Sequence, residues 1–148
     1  SFVVGREIRL GSHVQVGGAV SFRDATGHHT DPEQRMAGAP PDEADVKPII
    51  VHDNVWIGMG VLVLPGTEIG EGCIVAARSV VSGTVAPYTV VAGNPARRVG
   101  TLTPPEGREH LAPATPARRP AATSPAPAVA PSHETSAGHP PLRNVSDV

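Results

Sequence analysis

The stretch VHDNVWIGMGVLVLPGTEIGEGCIVAARSVVSGTVA, Val51 to Ala86, decides the fold. Read in sixes, every unit opens on a branched aliphatic residue: Val51, Ile57, Val63, Ile69, Val75 and Val81. The fifth place is small or Val throughout: Val55, Val61, Thr67, Cys73, Ser79 and Val85. Residues two apart on a strand point the same way, so Val55 with Ile57, or Cys73 with Val75, face inward together. The residue between them faces outward. Gly, Asn-Val and Pro-Gly elements between the pairs suit corners. Strands this short bury no face alone, whereas stacked turns of a coil do. The period therefore predicts an all-β solenoid of hexapeptide repeats.

The same period is present from the first residues, with Ile8 and Leu10, Val14 and Val16, and Val20 and Phe22 as inward pairs. It then breaks. Val4 to Val51 is 47 residues, not a multiple of six, so the intervening segment holds an insertion. His28 to Pro48 is polar, acidic and proline-bearing, and it reads as one long loop thrown out of the coil. Loops of that length without structure of their own tend to carry function. Lys47 to Val51 returns the chain to the stack.

Composition agrees with a solenoid. Only four aromatic residues occur (Phe2, Phe22, Trp56, Tyr88), too few for a conventional core but enough for one built of Val, Ile and Leu. Fourteen of sixteen Gly precede residue 101 and ten of seventeen Pro follow it, which marks a boundary near Gly100. Residues 1–100 read as the coil domain, with an N-terminal part expected to be missing. Residues 101–148 read as a Pro/Ala-rich disordered tail, unable to bury enough apolar surface to offset its ordering entropy. A formal net charge of −2 leaves no basic footprint for nucleic acid. No apolar run reaches membrane-spanning length, and cytoplasmic location is the default expectation. The lone Cys73 occupies a fifth-position slot and reads as a small core filler.

The motifs NVWIG (Asn54 to Gly58), LPGTEIGEG (Leu64 to Gly72), SVV (Ser79 to Val81) and AGNPARRV (Ala92 to Val99) resemble the hexapeptide acyltransferases. The resemblance is narrower still to the branch of maltose, galactoside and polysaccharide O-acetyltransferases, and it spans residues 2 to 99. It implies a single-stranded left-handed parallel β-helix with three repeats per turn, a homotrimer with shared active sites, and acetyl-CoA as donor without a metal.

Acetyl transfer to a hydroxyl needs a general base to take the hydroxyl proton, and imidazole is mostly neutral at pH 7. The loop opens on GHHTDP, and the resemblance places the base at His28, with His29 where relatives vary. The plainer alternative is that both are solvated loop residues. Asp24 orients the imidazole, contacts the acceptor, or merely caps a turn. Trp56 lies between the inward Val55 and Ile57, so it points outward, toward pantetheine or acceptor by resemblance, or toward a neighbouring subunit. Gly58, Gly60, Ala76, Ala77, Ser79 and Gly93 match family positions along which the pantetheine arm lies, although tight corners also call for small residues. Arg97 and Arg98 are candidate phosphate contacts, since guanidinium binds phosphate in bidentate fashion. Two departures stand out: Arg78 replaces the Gly of the common Ala-Gly-Ser, and a phosphate-contacting Lys is missing near Gly83.

The expected activity is direct transfer of acetyl from acetyl-CoA to a sugar or glycan hydroxyl in a ternary complex. An amine acceptor is the near alternative, since the same base serves it. A zinc carbonic anhydrase on the same coil would need three converging histidines, and His13, His28, His29 and His52 lack the required second pair. A non-catalytic trimeric scaffold is opposed by the GHH loop. Outward residues 18 apart share a side of the coil: Trp56 with Ile74, Leu62 with Val80, and Glu68 with Ala86. Two sides are apolar, which suits a ring in which each subunit uses two different patches.

Overall fold

The computed structural model describes residues 1–114. Most of the expected tail therefore lies outside the described residues.

Strands β1 (Phe2–Val3), β2 (Ile8–Leu10), β3 (Gln15–Val16) and β4 (Ser21–Arg23) precede the loop. After it come β5 (Ile49–Val51), β6 (Trp56–Ile57), β7 (Leu62–Val63), β8 (Glu68–Ile69), β9 (Ile74–Val75) and β10 (Val80–Val81). β11 (Thr84–Val85), β12 (Thr89–Ala92) and β13 (Arg97–Thr101) complete the set. Successive strands fall into three sheets in rotation. The first sheet runs β1-β4-β7-β10, the second β2-β5-β8-β11, and the third β3-β6-β9-β12, with β13 on its edge. All pairings are parallel except β12 with β13. The chain thus winds around three faces.

Register follows the repeat. Ile57 is level with Val75, and Val63 with Val81, eighteen residues on. Leu10, Val16 and Phe22 are level with Val51, Ile57 and Val63, forty-one residues on in each case. The loop therefore adds twenty-three residues to one turn of eighteen. First-position residues form the core, with Ile57, Val63 and Ile69 at 0% exposure. Each contributes about 1.5–3 kcal/mol of burial. The fifth-position polar residues are buried too and bond back to their corners. Thr67 Oγ1 donates to the Leu64 carbonyl at 2.6 Å, and Ser79 Oγ to the Ala76 carbonyl at 2.7 Å. Cys73 is buried, its thiol directed at the Ala86 carbonyl, and burial raises its pKa, so it is the core filler its slot implied.

Three expectations need correction. The sixth repeat is not a full one: the corner at Ser82–Gly83 is two residues short, so Val85 is level with Ile69 and takes a first-position role. Gly83 has φ +72, a value that glycine adopts without Cβ strain. In consequence Thr84, not Ala86, shares the outward side with Glu68. Second, Leu10 and Val16, expected inward, are 37% and 43% exposed. Their turn is the first, and only β1 lies before it, on the first sheet. Third, the loop is not devoid of structure. It carries a short helix α1 (Pro32–Met36) capped by Asp31, whose carboxylate accepts from the amides of Glu33 and Gln34, and a 3-10 turn at Glu43–Asp45.

Residues 102–114 lie along the coil rather than away from it. The Leu102 amide donates to the Tyr88 carbonyl at 2.7 Å, and Arg108 pairs with Glu71. A 3-10 turn covers Glu109–Leu111.

The layered core gives a direct contrast. Ile69→Ala should cost about 2–5 kcal/mol in denaturant unfolding, because its cavity lies between stacked turns. Thr84→Ala, outward and exposed, should stay within about 0.5 kcal/mol. Equal losses would contradict the inward–outward assignment.

Candidate functional site

The loop leaves the coil after β4 and returns at β5, at the corner between the first and second sheets. Its neck is closed by backbone, with the Lys47 amide donating to the Asp24 carbonyl at 2.8 Å. The Asp24 side chain is fully buried and accepts from three successive amides: Gly5 at 2.6 Å, Arg6 at 2.7 Å and Glu7 at 2.8 Å. Burial works to raise its pKa, but these backbone donors outweigh it and hold the carboxyl below the ordinary value of 3.8. A side chain so placed offers no face to an acceptor. The turn-capping alternative, not acceptor contact, matches its position.

Four residues on, the two histidines separate. His29 is half-buried, and its Nδ1 accepts from the Asp31 amide at 3.0 Å, which places its neutral proton on Nε2. Arg35 fastens the same bend by donating to the carbonyls of His29 and Thr30 at 3.1 and 3.0 Å. His29 is thus a structural member of the loop. His28 is exposed; its carbonyl accepts from Thr26 Oγ1 at 2.9 Å, and its ring has no hydrogen-bond partner among the described residues. Of the pair, only His28 presents an imidazole free to take a proton.

The small residues gather at a different corner, between the third and first sheets. Gly58 and Gly60 follow β6, Ala76 and Ala77 follow β9, and Gly93 follows β12, one above another. The Gly58 amide donates to the Val75 carbonyl and the Ala76 amide to that of Val91, at 2.8 and 2.9 Å. Two of this set serve the coil itself. A Cβ on Gly58 would fall 2.6 Å from the Ala77 nitrogen, so close stacking of turns requires glycine there. Ser79 is fully buried and accepts from the Gly93 amide at 3.1 Å, so its hydroxyl is not available to a ligand. Gly60, Ala76, Ala77 and Gly93 are at least partly exposed. Arg78 takes φ +60 beside Gly60 and is exposed on the same corner.

Trp56 points outward as expected, 54% exposed, level with Gln15 and Ile74. Its strand runs directly into the Gly58 corner. Arg97 and Arg98 lie elsewhere, lining a cavity of about 330 Å³ at the last turn with Ser82 and Thr84. Arg97 donates to the Ala96 carbonyl and Arg98 to that of Ala114. No three His, Cys, Asp or Glu side chains converge to hold a metal among the described residues. No helix there is long and apolar enough to cross a membrane.

Residues 48–83 match the family described as bacterial transferase hexapeptide (six repeats). This is a hexapeptide-repeat chain. The putative lipopolysaccharide biosynthesis O-acetyl transferase WbbJ of Escherichia coli K12 is 35% identical over 99 residues, 66% of this chain and 48% of that protein. A hexapeptide-repeat acetyltransferase from Vibrio cholerae, solved with acetyl-CoA, matches at TM-score 0.62 and 39% identity over 68% of this chain and 52% of that one. A galactoside acetyltransferase solved with coenzyme A matches at TM-score 0.60 and 29% identity, over 68% and 48% respectively. The chain spans about half the length of these relatives.

Sequence reasoning passed over the residues that shape the hexapeptide-repeat chain's loop. Asp31-Pro32-Glu33 is a helix-start pattern, an N-cap followed by proline at the first helical position, and it locates α1. Nothing in the pattern announces that His29 accepts from Asp31 or that Asp24 reaches back to residues 5–7.

The lowered Asp24 pKa carries a sign. The carboxylate's contribution is complete above its unfolded pKa, near 3.8, and disappears as pH falls through the lower folded value. The amide resonances of Gly5, Arg6 and Glu7 should therefore titrate together below about pH 4, and this transition should be absent in Asp24→Asn. A common transition above pH 4 would reverse the assignment.

Proposed function

We propose that this chain is the coil of an acetyl-CoA-dependent O-acetyltransferase acting on a sugar or glycan hydroxyl, wound as a left-handed parallel β-helix. The observation that carries the reading is His28: a free, exposed imidazole on a loop whose neck is fastened to the coil. The relatives support the rest, since one is named for O-acetyl transfer in lipopolysaccharide biosynthesis and another was solved with acetyl-CoA.

In the proposed reaction His28 takes the proton of the acceptor hydroxyl as its oxygen attacks the thioester carbonyl. The C–O bond forms, the C–S bond breaks, and the proton passes from His28 to the departing sulfur. Products are the acetyl ester and free coenzyme A. Gly60, Ala76, Ala77 and Gly93 form the open edge along which an extended pantetheine arm fits. Trp56 packs beside it. Arg78, at the same corner, supplies a cation toward phosphate. Arg97 and Arg98, on the cavity at the last turn, offer a second pair of guanidinium groups toward phosphate.

His28 and the small-residue corner stand at opposite ends of the first sheet's strands. A second copy of the chain brings one subunit's loop to another's corner. Two outward faces suit such contact, Trp56 with Ile74 and Val90, and Leu62 with Val80, whereas the third presents Arg9, Glu68 and Thr84 around a single apolar residue, Ile50. Each subunit then meets its two neighbours through different patches, as a closed homotrimer requires.

His28→Ala should lower transfer at least about a hundredfold, the usual weight of general-base catalysis, with coenzyme A binding retained in calorimetry. Full activity in that variant would remove His28 from the chemistry. Leu62→Asp should dissociate the assembly in sedimentation and abolish activity together, while Glu68→Lys should do neither. A monomeric variant with full activity would refute a shared site.

A further inference from the structure

We infer that Asp24 is the positioning residue of the loop, its carboxylate setting where His28 stands relative to the coil without touching the imidazole. The inference rests on the reading of His28 as the base.

Asp24 joins three passages of chain. Its carboxylate holds the amides of Gly5, Arg6 and Glu7, just before β2. Its own amide donates to the Val3 carbonyl at 3.3 Å. Its carbonyl takes the Lys47 amide, which is the loop's return. The return is tied onward, since the Gly66 amide donates to the Lys47 carbonyl at 3.2 Å and Ile49 donates to Glu7 at 3.0 Å. The two ends of a twenty-three-residue insertion are therefore fixed to one corner through one residue. Hydrogen bonds to a carboxylate are roughly twice as strong as neutral ones. Three on one buried group make this the stiffest point at which the loop meets the coil.

The path from this point to the imidazole is short. Ala25 is buried at 7% exposure, and Thr26 Oγ1 holds the carbonyl of His28 itself. Movement of the neck is passed to His28 over four residues. A carboxylate orienting the imidazole directly would instead have to face it, whereas this one is turned toward residues 5–7 and is inaccessible. Asparagine at position 24 keeps the shape but sets an NH₂ against backbone N–H donors, which loosens the neck without emptying the core.

The test is Asp24→Asn in the full chain, assayed with acetyl-CoA and an active acceptor. The expected result is a fall in kcat of about ten- to a hundredfold, the effect of misplacing a catalytic group by an ångström. KM for acetyl-CoA should stay within about twofold, and the acid limb of the pH–rate profile should not move. An unchanged kcat would overturn the inference, as would a parallel loss of kcat and donor affinity. A shift of the acid limb by about one pH unit would also overturn it, by placing Asp24 on the imidazole.

Native-state hydrogen exchange on the wild type needs no variant and no activity. The amides of Gly5, Arg6, Glu7 and Lys47 should open in one event, at lower free energy than the Gly58 amide within the coil. Independent opening of the 5–7 segment and Lys47 would refute a common knot. Should His28→Ala prove fully active, the base assignment falls, while the exchange result still decides whether Asp24 fixes the loop.

Discussion

Two-residue strands have no stability of their own, and every other feature of this chain follows from that. Each coil strand is held because the strand of the next turn lies beside it in parallel, eighteen residues on within the regular repeats, and its inward residue packs on those of neighbouring turns. The layer Phe22, Val63 and Val81 on the first sheet, like Leu10, Val51, Ile69 and Val85 on the second, is continuous only when the register is kept. A slip of one residue would turn every aliphatic side chain outward. Thus the insertion can be long but not arbitrary in its effect, and the turns before and after it stay level to the residue.

That constraint also locates chemistry. Inward positions are committed to packing, so reactive or ligand-facing groups are left to corners, outer faces and the loop. Ser79 illustrates the division: it belongs to the SVV motif that carries the family resemblance, yet it is an inward residue and its hydroxyl is consumed at its own corner. Gly58 is likewise explained by the approach of the next turn's backbone. His28 and Trp56 are free of such duties, and both are exposed.

The loop solves a different problem. A segment leaving a coil breaks a corner, and the amides nearest the break need acceptors. Asp24 supplies them to residues 5–7 and closes the neck with Lys47, so that the broken corner is rebuilt around a carboxylate. The short helix beyond it, with Asp31 as cap and Arg35 tied to the carbonyls of His29 and Thr30, keeps the outer part of the loop in order.

Period, strand spacing, inward residues and the place of the insertion were legible in the sequence, because a repeat writes the same physical demand many times over. The outward Trp56 and the buried Cys73 followed from the same alternation. The GHH segment could be marked as the place for a base, and the family resemblance chose His28 over His29, but the physical difference between them, one hydrogen bond from the Asp31 amide to His29, was not legible there. Only the tertiary structure decided the short corner at Gly83, the exposure of Leu10 and Val16 at the first turn, and the course of residues 102–114 against Tyr88 and Glu71. For Asp24 it singled out the turn among the roles the sequence leaves open. These depend on contacts between segments far apart in the chain, such as Asp24 with Gly5 or Arg108 with Glu71, and no local pattern of residue types encodes which distant amide or charge a side chain will meet.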